Sequence, residues 1–562
     1  MSWKQVAQSQ RETLLSSMPI EWRLAPDEIG GRTKQRKIVD FIAKRVSSDT
    51  REITELPVSQ LLQKLRQGDV TASEVLAAFA HRAALAHQLT HCLSEYHYVD
   101  AKRRAAVLDE QWRMHQKPVG PLHGLPVSLM DRFHVAGLRS ACGYVSWLGI
   151  PRTGDDEGVL VERLRTLGAV ILCKTNVPVS AMMGETDNNI MGFTMNPFNR
   201  MLSAGGACGG EGALIALRGS PIGFGTDIAG SVRIPAAFNG LCALKASEQR
   251  LPDSGIAAIF PGLPTAAGSV GMLASELEGI QIVFKALQDS SPWTYDNEIL
   301  ELPWRKEKHE SILARRCDPV GIEANGRLVF GVLQSDDHVN PHPPIRLALQ
   351  KVKQALLSCG YEIVPWRPPP QNEAVENLFR IFGSTGAQEI RNAIDASGEP
   401  PVAQMRPWYE QQDNEDISTS SFWQLCEARD KYRRDYAKYW RQMDSQTTSG
   451  RRVDGVIQPV APYVAGHQND PQYYAYSAVA NILDVPAAVF PVSPGFSLAE
   501  MAFEEAQNRL ASNEEEVKIQ KNYRPVDAQN MPVGLQVLGR RLQEEQVLAM
   551  GQAVIEALNR TA

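Results

Sequence analysis

The stretch Ser203–Ser247 reads S-A-G-G-A-C-G-G-E-G-A-L-I-A-L-R-G-S-P-I-G-F-G-T-D-I-A-G-S-V-R-I-P-A-A-F-N-G-L-C-A-L-K-A-S. Most of its glycines fall in two clusters, Gly205, Gly206, Gly209 and Gly210, then Gly219, Gly223, Gly225 and Gly230. Glycine destabilises helices and strands, so this density marks a segment where backbone shape is what the sequence specifies. Such positions supply positive φ or bring main-chain N–H groups against a ligand. Ile228-Ala229-Gly230-Ser231 would place such donors beside a hydroxyl, the arrangement of an oxyanion site.

Further motifs surround this stretch: His123-Gly124-Leu125-Pro126-Val127-Ser128, Glu185-Thr186-Asp187-Asn188-Asn189, Asn196-Pro197, and Val533-Gly534-Leu535-Gln536. With the G-G-x-x-G-G-E loop and the G-T-D-I-x-G-S-x-R-x-P run, they resemble the amidase signature family, serine hydrolases that cleave amide C–N bonds. Trp3 and Glu21-Trp22-Arg23-Leu24 are most similar to the fungal acetamidase branch. The resemblance covers most of the chain and implies one large α/β/α domain, residues 1–562, with a twisted, mixed, mostly parallel sheet between helices. It also implies a catalytic set of a lysine, a serine in a cis peptide and an acylated serine. Ser231 stands at the acylated position, but the cis-serine position holds Ala207 and the lysine position holds Met130. By the same resemblance Ala181, Met182 and Met183 line the acyl pocket, Ile228, Ala229 and Gly230 form the oxyanion loop, and the Gly206–Ala207 peptide is expected to be cis.

The chain has 562 residues, 43% hydrophobic and 22% charged, with a net charge of −6. That composition suits a globular protein and gives no reason to expect nucleic acid or an anionic membrane as partner. Eight scattered cysteines without a C-x-x-C pair read as reduced, mostly buried thiols. The N-terminus lacks a basic stretch followed by an apolar run, and no apolar stretch is long enough to span a bilayer, so the expected location is cytoplasmic. His81, His87, His91, His97 and His115 place at most one pair on a common helical face with no carboxylate beside it, and no metal or other cofactor is expected. A small amide-like molecule is the expected ligand, and a homodimer is compatible with the family.

Residues 1–100 read as helices wrapped on the rest, with Thr71-Ala72-Ser73-Glu74 as a capping box ahead of Val75, Leu76, Phe79 and Ala83 on one face. Residues 120–250 form the signature core. There Leu125–Leu129 reads as a strand, Leu160, Leu164 and Leu167 as the inner face of a helix closed by Gly168, and Ala169–Cys173 as a second strand. This crossover unit argues for a parallel, doubly covered sheet. Between Ser254 and Pro303 no pattern is evident; Gly271-Met272-Leu273-Ala274-Ser275 stands where similar sequences carry G-P-x-A-R. Further strands are expected near residues 327–333, 361–364, 454–460, 485–492 and 533–538, with helices at 344–358 and 542–558. The charged segment 496–527, including Glu514-Glu515-Glu516, reads as a solvated surface insertion.

A serine hydroxyl needs a base within hydrogen-bond reach. Met130 has no basic lone pair and Ala207 no oxygen to relay a proton. Removing one member of such a unit costs up to roughly a millionfold in rate, about 8 kcal/mol of barrier. Turnover by the family's route is therefore expected to be absent. Ser231 has two readings, an acylation-competent hydroxyl or a residue that simply fits a tight turn. Cys208, directly after Ala207, is either a small buried thiol or a nucleophile needing His123 or His134 to converge on it. Asp131 is a weak candidate base. Asp227 and Arg233 read as a structural ion pair, with a substrate-carboxylate role for Arg233 as the alternative. Three functions compete: a pseudoenzyme that keeps the pocket and oxyanion loop and serves as a binding or partner protein; an amide or ester hydrolase, or other small-metabolite enzyme, with altered chemistry at Ser231; and the glutamine-hydrolysing subunit of a tRNA-dependent amidotransferase. The third should have the full triad, and the acetamidase-like N-terminus argues against it.

Overall fold

A computed structural model describes all residues except 150, 259, 261, 264–267, 317–325, 411–415, 493–494, 506–510 and 562. Its organising element is an eleven-stranded sheet. The strands are β1 (Leu93–Tyr96), β2 (Pro126–Met130), β3 (Val170–Thr175), β4 (Ile222–Asp227), β5 (Cys242–Lys245), β6 (Ser269–Ala274), β7 (Val329–Val332), β8 (Glu362–Pro365), β9 (Gly455–Pro459), β10 (Ala487–Pro491) and β11 (Gly534–Leu538). They lie in the order β1-β3-β2-β4-β6-β5-β10-β11-β9-β7-β8.

The sheet is mixed, as expected, but not mostly parallel. Four pairings are parallel, β3-β2, β2-β4, β9-β7 and β7-β8. Six are antiparallel, and five of these form the continuous centre from β4 to β9. The parallel expectation rested on β2 and β3, which do pair in parallel across the helix Val159–Thr166. It failed for the centre because strands covered on both faces are apolar throughout whichever way they run, so the pattern carries no direction.

Two stretches without an evident sequence pattern are structured. Ser269–Ala274 is β6, wedged between β4 and β5 in the middle of the sheet. The helix Leu277–Asp289 follows it with Leu277, Ile280, Val283, Phe284 and Leu287 buried. The departure Gly271–Ser275 is thus built into the sheet, where a Cβ at Gly271 would stand 2.6 Å from the Leu244 carbonyl oxygen. The N-terminal wrap contains the capped helix Ala72–Thr90, whose Thr71 side chain accepts from the Glu74 amide, but it also supplies edge strand β1. Segment 496–527 is anchored rather than freely solvated. Met501, Glu504, Glu516 and Ile519 are buried, and Glu504 pairs with Arg346 at 2.7 Å.

Candidate active site

β2 and β4 run in parallel and end side by side, at Met130 and Asp227. The carboxyl ends of parallel strands are the usual place for a ligand site in an α/β sheet. Against this edge lies the loop 203–208, leading into the helix Gly209–Ala216. The helix sits close enough to β4 that a Cβ at Gly225 would come within 2.3 Å of Cys208 Sγ. Part of the glycine density therefore serves close packing rather than ligand contact.

The three family positions converge through Cys208. Its Sγ lies 3.5 Å from Met130 Sδ, and its amide donates to the Ser231 carbonyl oxygen at 3.0 Å. The Gly206–Ala207 peptide immediately before it is cis. Met130, Ala207 and Cys208 are fully buried, and Ser231 is 7% exposed. Met130 Sδ also receives the amide and hydroxyl of Thr226, each at 3.4 Å. Where the family expectation places an ammonium group, this chain has a thioether inside a shell of weak donors. Among the described residues the Ser231 hydroxyl has no hydrogen-bond partner.

The loop 228–231 is held by Asp227. Its carboxylate accepts the Gly230 amide at 2.8 Å, the Val232 amide at 3.1 Å and the Arg233 amide at 3.3 Å. The Gly230 amide, expected as an oxyanion donor, is thus engaged within the turn. It has φ +120° and packs so closely that a Cβ would meet Ser477 at 2.5 Å. The amides of Ala229 and Ser231 make no hydrogen bond among the described residues and remain as donors.

Arg233 is wholly committed to structure. Its guanidinium forms a buried ion pair with Asp227 at 2.8 Å and donates to the Ser477 carbonyl, Gln536 Oε1 and Asn481 Oδ1. Burial alone would push the Asp227 carboxyl up, but Arg233 and its hydrogen bonds hold it down at about 2. No donor is left for a substrate carboxylate.

Asp131, His123 and His134, the candidates from sequence, and the buried Lys174 and Lys245 are turned elsewhere. Asp131 pairs with buried Lys174 at 2.8 Å, and Lys174 also donates to Ser140 Oγ. Lys245 donates to the Val485 carbonyl. His134 Nδ1 sits 2.9 Å from Ser140 Oγ, and His123 Nδ1 accepts the Val119 amide, so neither meets Cys208. Burial pushes the Cys208 thiol well above its ordinary range, with Glu211 and Asp227 adding to the shift. Glu211, close behind the loop, is pushed up to about 8 by burial despite accepting from Ser128 and Thr175.

A cavity of about 260 Å³ opens on the other side of Thr226, whose amide and hydroxyl reach Met130 Sδ. Met182 and Ile228 are among its lining residues. Ala181 and Met183 are not; they are buried in the core. Sequence reading passed over five polar lining residues, Arg132, Ser180, Glu248, Asp253 and Ser269. Arg132 lies two positions beyond Met130, and its guanidinium donates to Thr226 Oγ1 at 3.0 Å and to the Ala257 carbonyl at 2.9 Å. Its position in the lysine motif was a usable signal; the other four come from distant segments. Among the described residues no group of three or more potential metal ligands is present. None of the described helices is long and apolar enough to cross a membrane.

Comparison with known proteins agrees with this architecture. A family model described as Amidase matches residues 74–548. The Acetamidase of Emericella nidulans is 34% identical over 556 residues, covering 98% of each chain. That of Aspergillus oryzae is 35% identical over 563 residues, again covering 98% of each. The solved structure of a Fatty acid amide hydrolase superposes with a TM-score of 0.88 at 29% identity, over 98% of this chain and 94% of its own. Glycine-rich loop, paired strand ends and matched length together show that the chain belongs to the amidase signature family.

Proposed function

We propose that this protein is a non-hydrolysing amidase homologue: it binds a small amide-like molecule in the pocket lined by Thr226 and Ile228 but does not acylate Ser231 by the family's lysine route. The observation that carries this reading is the environment of Met130. Its thioether is fully buried, touches Cys208 and Thr226, and has no titratable group to receive a proton from Ser231. The described lysines and histidines nearest in sequence to the motifs are engaged with other partners. A hydroxyl without a base remains a poor nucleophile even beside well-placed amides.

A second reading, altered chemistry through Ser231, is favoured by the amides of Ala229 and Ser231, which still lack partners. The two separate in one experiment. The purified chain is exposed to a fluorophosphonate and, in parallel, to benzamide. The proposal expects neither covalent labelling at Ser231 nor release of benzoate above buffer. Labelling that disappears in Ser231→Ala, together with benzamide turnover lost in the same variant, establishes the second reading.

A further inference from the structure

The cavity lined by Thr226 and Ile228 carries an unbalanced set of charges. Glu248 and Asp253 line it, and among the described residues neither carboxylate forms an ion pair. Arg132 is the cation in the same wall, but its guanidinium is turned to Thr226 Oγ1 and the Ala257 carbonyl. Two carboxylates against one guanidinium leave the lining with an excess negative charge. Desolvation pushes the carboxyl groups of half-buried Glu248 and more exposed Asp253 upward, and neighbouring acids, Asp484 for the first and Asp296 for the second, push further, against the pull of Lys245 and Arg433 on Glu248 and of Arg132 on Asp253. A cation placed between them would relieve both effects.

A second feature points to the same space. Ser269, at the start of β6, lines the cavity and is 5% exposed, yet among the described residues its hydroxyl has no hydrogen-bond partner. A buried hydroxyl left without a partner is costly, so a ligand atom that completes it is favoured. Apart from Ser180 and Thr226, the remaining wall is apolar, with Met182, Ile256 and Phe382 among its residues. A dry cavity of about 150 Å³ already holds a benzene ring, so about 260 Å³ admits a ring with a polar head.

We propose that this cavity selects a cationic ligand, an amine or amidine on a small apolar body, with the positive head between Glu248 and Asp253 and a hydrogen bond to Ser269. The inference rests on the reading that the pocket binds amide-like molecules, and it adds the charge that the ligand carries.

Benzamidine, benzamide and benzoate are close to isosteric and differ in charge. Their binding to the full chain is compared by calorimetry at low ionic strength. Benzamidine is expected to bind about fivefold or more tightly than benzamide, with benzoate the weakest, because a partly buried ion pair exceeds an exposed one. Added salt should reduce the benzamidine preference. Glu248→Gln and Asp253→Asn should each lower that preference, and the double variant should abolish it; neither carboxylate forms an ion pair, so thermal unfolding should stay close to that of the parent. Benzamide binding as tightly as benzamidine, a preference that survives the double variant, or no binding by any of the three overturns the proposal. Turnover of benzamide would instead overturn the non-hydrolysing reading, and the benzamidine-to-benzamide affinity ratio is read independently of it.

Discussion

Two regions that meet at the ends of β2 and β4 are built on opposite principles. The brace around Asp227 satisfies every polar group it buries: Arg233, Asn481, Gln536 and three main-chain amides close on one another without a gap. The floor at Met130, Ala207 and Cys208 presents a thioether, a methyl and a thiol, all fully buried, and on the reading proposed above these stand where proton-transfer groups would be needed. The difference separates what the fold requires from what the chemistry requires. A buried ion pair stripped of one partner leaves an uncompensated charge. The floor buries no charge that would be left unpaired by substitution. On the proposed reading, then, catalysis is absent at sites that do not hold the architecture together.

The largest effect that would sharpen this contrast is the return of activity. Met130→Lys alone supplies a base without a relay to Ser231, and Ala207→Ser alone a relay without a base. Together they should raise benzamide hydrolysis far beyond the product of the single effects, recovering several powers of ten of a factor of roughly a millionfold. Adding Ser231→Ala should return the rate to background. A double variant no faster than the product of the singles would mean that the floor is no longer arranged for transfer, and the contrast would fail on the catalytic side.

The opposite side is tested by Arg233→Met, which leaves Asp227 ionised and buried. Chemical denaturation should show a loss of about 3–5 kcal/mol. Combining it with Asp227→Asn should recover much of that loss, because the two residues act as a unit. A loss below about 1 kcal/mol, the ordinary effect of a point substitution, would show that the brace is not what holds the loop 228–231.

The two regions were also unequally legible in sequence. Ser231, Ala207 and Met130 were found by position within motifs, and the structure connects them through Cys208, a contact between strand end and loop. The Asp227–Arg233 pair was legible because both lie in one turn. Three-dimensional register was not. Lys174 reaches Asp131 because β2 and β3 align Leu129 with Lys174, and nothing local in either segment announces that pairing. β6 was missed because S-V-G-M-L-A neither alternates nor carries the β-branched density that marks an isolated strand. The charged lining of the cavity escaped for the same reason: Arg132, Glu248 and Ser269 belong to three segments that only the folded sheet brings together.

The smallest expected effect decides whether the floor is inert. If Cys208 had inherited the nucleophile's work, its thiol would be ionised and accessible. Instead it is fully buried, its pKa is raised well above the ordinary thiol range, and it donates weakly to Met130 Sδ and the Thr226 carbonyl. Nucleophilic attack proceeds through the thiolate. Iodoacetamide at neutral pH should therefore leave Cys208 unmodified in the folded chain and modify it once the chain is unfolded, as read by peptide mass spectrometry. Cys208→Ser should cost only about 1 kcal/mol of stability, through a shorter side chain and weaker contact with Met130, and it should create no hydrolysis, since a hydroxyl there still lacks a base. Rapid modification of Cys208 in the native protein would reverse this. The thiol would then be a working group, and the floor, like the brace, would be held in place by what it does.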